Sequence, residues 1–128
     1  MEKKFILVGQ LKEGNYILID DFVCQIKEFE KSKPGKHGAA RARITGIGVF
    51  DGQKRTLLKP TVQDAEVPMV EKGTAQVVAV MGNNIQLMDT ESYETFNSEK
   101  PKDVEGLQSG IEVEYIRVDL NVKIVRKK

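Results

Sequence analysis

Tryptophan is absent from this chain of 128 residues, and cysteine and histidine occur once each, as Cys24 and His37. One cysteine closes no internal disulfide, and one cysteine with one histidine gives no set of soft ligands for zinc. Cys24 therefore reads as a small buried side chain in a strand, and no metal or dissociable cofactor is expected. His37 lacks a Ser, Cys or acid held beside it in a fixed frame, so no catalytic set is legible and the chain reads as a non-enzyme. Long apolar runs are missing as well. None approaches the roughly 18 residues that span a bilayer, and Met1-Glu2-Lys3-Lys4 leads into only four apolar residues before Gly9-Gln10, too few for a secretion signal. A cytoplasmic protein with no membrane partner is expected.

Net charge is scarce too, at +1, but it is unevenly spread. Residues 1–70 carry 12 Lys and Arg against 9 Asp and Glu, a net +3, while residues 71–128 carry 8 against 10, a net −2. Within the first part, Lys31, Lys33, Lys36, Arg41 and Arg43 stand in a window with no acid. A local basic cluster on a balanced chain points to contact with a polyanion at one place.

Turn residues separate short runs of alternating and β-branched residues, the pattern of an all-β chain. In residues 1–70 the runs are Tyr16–Ile19, Phe22–Phe29, Ala40–Phe50 and Lys54–Leu58, with Asp20-Asp21 and Asp51-Gly52 as turns. Five or six short strands suit an SH3-like barrel. In residues 71–128 they are Thr74–Met81, Ile85–Met88, Tyr93–Phe96, Ile111–Val118 and Asn121–Val125, with the polar stretch Asn97–Gly110 holding at most a short helix around Asp103–Leu107. Five strands interrupted between the third and fourth suit an OB-fold barrel, a fold that often handles oligonucleotides. The expected fold is thus an N-terminal SH3-like barrel over 1–70, with a loop at 31–41, followed by an OB-fold domain over 71–128.

That loop, Ser32-Lys33-Pro34-Gly35-Lys36-His37-Gly38-Ala39-Ala40-Arg41, lies at the tip of a long hairpin by this reading. It is not a nucleotide-binding P-loop, because His37 follows Gly35-Lys36 where Ser or Thr would ligate magnesium, and Glu30 stands where the first glycine belongs. It is suited to presenting an amine. Pro34 fixes one dihedral, Gly35 and Gly38 allow bends on either side, and Lys36 stands outward at the apex. Neighbouring Lys33, Arg41 and Arg43 favour phosphate, and Arg41, Arg43 and Thr45 fall on the solvent face of the outgoing arm, opposite Ala40, Ala42 and Ile44. Two other uses of this chemistry compete. A general single-stranded RNA-binding or chaperone module would work with Lys36 unmodified, but it expects stacking aromatics, and the Phe and Tyr here sit mostly in apolar strand patterns. An RNA-cleaving enzyme would need a catalytic constellation that is not seen. A basic C-terminal patch, Lys123, Arg126, Lys127 and Lys128, reads as either an RNA contact or a solubilising tail.

The loop closely resembles the hypusine loop of the translation initiation factor 5A family, an S/T-K-x-G-K-H-G-x-A-K/R run around a modified lysine. Gly46-Ile47-Gly48-Val49-Phe50-Asp51-Gly52-Gln53-Lys54 and Asp64-Ala65-Glu66-Val67-Pro68 resemble the family's next strand, turn and domain junction, so the resemblance spans nearly the whole chain. It implies the same two barrels. It also implies that deoxyhypusine synthase transfers the aminobutyl group of spermidine to Lys36, giving deoxyhypusine or, after hydroxylation, hypusine. Lys33, Gly35, His37, Gly38 and Arg41 match supporting positions, and Pro34 stands where eukaryotic members commonly have threonine. With little N-terminal extension, the chain looks like the archaeal-type factor. The distantly related bacterial elongation factor P has a third domain for which this chain has no residues. The implied function is non-enzymatic: binding the ribosome's rRNA and peptidyl-tRNA, and promoting peptide-bond formation where synthesis stalls.

Overall fold

In the computed structural model of the chain, residues 1–33 and 40–128 are described. Among them are eleven β-strands, one 3-10 turn and no α-helix. The chain divides into two compact units, Met1–Met69 and Val70–Lys128.

In the first unit, strands β2 (Tyr16–Ile19), β3 (Phe22–Ser32), β4 (Arg41–Gly48) and β5 (Lys54–Pro60) form an antiparallel sheet in that order, and β1 (Lys3–Leu7) pairs with β6 (Asp64–Pro68). Ile17, Ile19, Cys24, Ile26, Ala42, Ile44, Ala65 and Val67 fill one core, with Val8 and Leu11 from the turn after β1. Cys24 is buried there, as its sequence context suggests. Asp20 and Asp21 both take left-handed conformations, φ 53° and 67°, which short polar side chains tolerate, so they do form the β2–β3 turn.

Several boundaries differ from the sequence reading. The apolar run after Lys4 is itself strand β1, and Asp64–Pro68, matched to a domain junction, is strand β6, with Ala65 and Val67 turned into the core. Strand β3 does not stop at Phe29. Its pairing with β4 continues through Glu30↔Arg43, Lys31↔Ala42 and Ser32↔Arg41, because backbone pairing and the small buried Ala42 keep a highly charged stretch extended. Thr45, expected on the solvent face beside the arginines, is 7% exposed and lies where the register shifts between Ile26 and Glu28.

Two glycines of β4 make this sheet possible. A Cβ on Gly46 would meet Cys24 Cβ at 2.9 Å, and one on Gly48 would fall on the Asp51 carboxylate. The latter anchors the Asp51-Gly52 turn, where Asp51 Oδ1 accepts from the Gln53 N–H at 3.0 Å and the carboxylate takes both ends of Arg55 at 2.8 and 3.1 Å.

In the second unit the sheet order is β11 (Asn121–Lys127), β10 (Glu112–Val118), β7 (Glu71–Met81), β8 (Asn84–Asp89), β9 (Thr95–Glu99). The Ser98 hydroxyl donates to the Val122 carbonyl at 3.3 Å, tying β9 to β11. The core is Ala75, Val77, Ile85, Leu87, Val113, Tyr115 and Ile124. Strand β7 begins at Glu71 rather than Thr74. The third strand of this unit, β9, starts at Thr95 rather than Tyr93, because the Asp89 carboxylate accepts from the Glu91 and Ser92 amides and folds that segment into a turn, with Tyr93 at φ 61°. No helix forms over 103–107. Leu107 packs against the core, and the Ser109 hydroxyl and Gly110 amide bond to the Val78 and Val77 carbonyls, so the long connection is stitched onto the irregular part of β7.

Candidate functional site

The sequence points to the hairpin formed by β3 and β4. Their last described pair, Ser32↔Arg41, holds the two arms together next to the segment that contains Lys36. Pro34, Gly35, Lys36, His37 and Gly38 lie outside the described residues, and so does the expected apex geometry. Lys33, Arg41 and Arg43 are described, and all three are exposed. Arg41 pairs with Pro60 and Arg43 with Leu58 across the sheet, while Ala42 and Ile44 face the core, so pleat alternation alone puts both guanidiniums on the solvent side.

Arginine pairing divides the molecule. Arg55 is bidentate to Asp51, Arg117 reaches Glu71 at 2.8 Å and Glu94 at 3.3 Å, and Arg126 reaches Glu114 at 2.6 Å. Among the described residues, Arg41 and Arg43 enter no ion pair. The arginines outside an ion pair are thus the two on the arm of the Lys36 hairpin, with Glu30 opposite Arg43 in the register. Arg126 and Lys127 belong to β11, not to a tail, and Arg126 is already paired, which reduces the C-terminal patch.

Charge elsewhere is tightly bound. Arg55 holds the Asp51 carboxyl below its usual range, while Asp51 holds Arg55 more firmly in its charged form. Arg55 also lies 3.7 Å from the centre of the Phe22 ring. Burial pushes the Cys24 thiol up, only partly opposed by its hydrogen bond with Arg55, which leaves it an unreactive thiol at neutral pH. In the second unit the Tyr115 hydroxyl donates to Asp89 at 2.6 Å. That bond, with two backbone donors, lowers Asp89 to about 2, while burial first and the same bond second raise Tyr115 to about 12. Phe96 is covered by Tyr115 and by Arg117, whose guanidinium lies 5.3 Å from its ring centre. The aromatics are less uniformly internal than their strand context suggests, since Phe5, Phe22 and Tyr93 are 61%, 49% and 71% exposed. They stand on separate elements, and one face of Phe22 is already occupied by Arg55.

Residues not singled out in the sequence close the base of the hairpin. Thr61, one residue past β5, donates to the Ala40 carbonyl twice, from its amide at 2.9 Å and its hydroxyl at 3.1 Å. The Thr61 carbonyl accepts the Gly9 amide at 3.0 Å, and the Gly9 carbonyl lies 3.5 Å from Lys31 Nζ on the other arm. The signal for Thr61 is a polar residue right after a strand-ending Pro60, which sequence alone does not separate from an ordinary turn. No group of three His, Cys, Asp or Glu among the described residues is placed to hold a metal, and no helix there is long and apolar enough to cross a membrane.

Comparison with known proteins gives this arrangement a class. Residues 4–63 match the family described as translation initiation factor 5A-like, N-terminal. Translation initiation factor 5A of Methanopyrus kandleri is 52% identical over 125 residues, covering 95% of this chain and 92% of that protein. The factor of Sulfurisphaera tokodaii is 48% identical over the full length of both. Among solved structures, the eukaryotic translation initiation factor 5A from Methanococcus jannaschii superposes with a TM-score of 0.88 at 42% identity, covering 98% of this chain and 96% of that one. A family member from Naegleria fowleri gives 0.76 at 30%, covering 100% of this chain and 99% of that one. A chain with this fold and these relatives is a translation factor, of a class that is not enzymatic. More particularly, it belongs to the translation initiation factor 5A family. The all-β expectation, an SH3-like barrel followed by an OB-fold barrel, holds.

Proposed function

We propose that this chain binds the ribosome and uses Lys36, lengthened by modification, to position peptidyl-tRNA so that stalled peptide-bond formation resumes. One observation carries the reading: of five arginines, the two without an acidic partner among the described residues, Arg41 and Arg43, are exposed on the strand leaving the Lys36 segment. An RNA backbone is the partner such a strip favours. Membership of the family and the loop sequence around Lys36 support the assignment of that lysine, with Lys33, Pro34, Gly35, His37 and Gly38 supporting it.

The modification balances without net oxidation. The bond between the four-carbon arm of spermidine and its central nitrogen breaks, a bond from that carbon to Lys36 Nζ forms, and the three-carbon diamine leaves with the displaced proton. Deoxyhypusine synthase is the partner for this step. The product reaches roughly 6 Å further than lysine, by single-bond dimensions, and carries a second cationic centre. A barrel too broad for the peptidyl-transferase centre can insert such a thread, and the gain is orientation of the acceptor end, not chemistry by the factor. Deoxyhypusine already supplies this reach, and hydroxylation would not lengthen it.

Lys36→Arg tests the proposal. It keeps the charge but cannot accept the aminobutyl group, so it should fold normally and fail to relieve stalling in translation of a proline-rich message. Full activity of the variant would overturn the reading.

A further inference from the structure

We propose that Thr61 is a positioning residue for Lys36, a collar that fixes where the modified segment leaves the barrel. The inference rests on the assignment of Lys36 to the modification. Ala40 is the first described residue after 34–39, and its carbonyl receives both donors of one side of Thr61, amide and hydroxyl. Thr61 is itself held from behind. Its carbonyl accepts from Gly9, which packs tightly against it, since a Cβ there would lie 3.3 Å from both Thr61 Cβ and Thr61 O and would push Thr61 by a few tenths of an ångström. The short turn that follows Thr61 is pinned by the Gln63 amide on the Pro60 carbonyl, the Val8 amide on the Gln63 carbonyl, and Lys59 Nζ on the Asp64 carbonyl at 2.6 Å.

A continuous path of contacts therefore runs from the incoming arm at Lys31 through Gly9 and Thr61 to the outgoing arm at Ala40. The amide bond from residue 61 to Ala40 needs only backbone. The hydroxyl bond needs Ser or Thr, and strand pairing does not require it. A second donor on the same carbonyl raises the fraction of molecules in which the exit is held in one place, and a partner that recognises the segment only in that place binds in proportion to that fraction.

The test compares wild type, Thr61→Val, which keeps the shape but loses the donor, and Thr61→Ser, which restores it. Two readouts are taken on the full chain: amide hydrogen exchange at residue 61, which reports how firmly Ala40 is held, and steady-state aminobutyl transfer by purified deoxyhypusine synthase with spermidine. Loss of one net hydrogen bond corresponds to about a five-fold change. In Thr61→Val the two readouts share that factor: the fold rise in exchange at residue 61, corrected for the intrinsic rate of valine, multiplied by the fold rise in KM for the chain should be about five, with kcat unchanged and the melting temperature lowered only as far as the exchange rise implies, and Thr61→Ser should behave as wild type. Wild-type exchange and KM in Thr61→Val, or failure of Thr61→Ser to restore them, overturns the proposal. If Thr61→Val does not fold, Gly9→Ala, which crowds Thr61 without removing its hydroxyl, is expected to give the same shifts, and wild-type values there count against the collar. If the wild-type chain accepts no aminobutyl group at all, the assignment of Lys36 fails and the exchange rates alone decide whether Thr61 holds Ala40.

Discussion

At the scale of single residues, one described contact that shifts two ionisable side chains in opposite directions is Tyr115 with Asp89. The folded Asp89 lies near 2, below its ordinary 3.8, so the bond contributes stability above about pH 3.8 and loses it as pH falls toward 2. The folded Tyr115 lies near 12, above its ordinary 10.0, so the contribution is also present below about pH 10 and lost as pH rises toward 12. Tyr115→Phe should cost roughly 1 to 2 kcal/mol at neutral pH, the worth of a hydrogen bond to a charged group discounted for partial exposure. In thermal melts the gap between wild type and variant should narrow at both extremes of pH. A gap that stays constant from neutral pH to pH 2 would show that the bond is not what depresses Asp89. This pair is not legible in the sequence: 26 positions separate the partners, and Tyr115 reads only as one more apolar residue of an alternating strand. Thr61 is hidden for the same reason, since Gly9, Ala40 and Thr61 are far apart in the chain and meet only through long-range pairing.

Among the elements, β2 is legible residue for residue, because Tyr16–Ile19 is a short apolar run ending in Asp20-Asp21, a pair that tolerates left-handed turns. Strand β3 is legible only as far as its apolar side chains reach. Lys31 and Ser32 are extended because β4 pairs with them, and composition carries no mark of that. Strand β9 is misplaced by two residues in the sequence reading, because the β-favouring Tyr93 outweighs a turn made by the Asp89 carboxylate. The solvent face of β4 is legible at Arg41 and Arg43, where alternation is regular, and fails at Thr45, where the register shifts. That strip supports a prediction about the arm as a unit. Exposed and without ion pairs among the described residues, Arg41 and Arg43 can both be changed to Ala with stability altered by no more than about 0.5 kcal/mol. Ribosome binding by the double variant, measured across a salt series, should be weaker, with a slope of log K against log salt shallower by about one for each phosphate no longer neutralised. An unchanged slope would place the RNA-binding surface elsewhere.

For the molecule as a whole, the division of charge was legible from the start: +3 over residues 1–70 and −2 over residues 71–128. The structure sharpens it by placing Arg117 and Arg126 of the second unit in ion pairs and leaving Arg41 and Arg43 of the hairpin arm outside any ion pair among the described residues. Each unit builds its own core, and the Lys36 segment springs from the first. A paired sheet, the proposed collar and a basic arm stand next to the Lys36 segment, the arrangement that the proposed use of a lengthened lysine calls for. The most direct measurement is the mass of the Lys36-containing peptide from the protein as its native host makes it. An added aminobutyl group on Lys36 is the predicted result, with or without a further hydroxyl. An unextended lysine, in material that still relieves stalling on a proline-rich message, would contradict it.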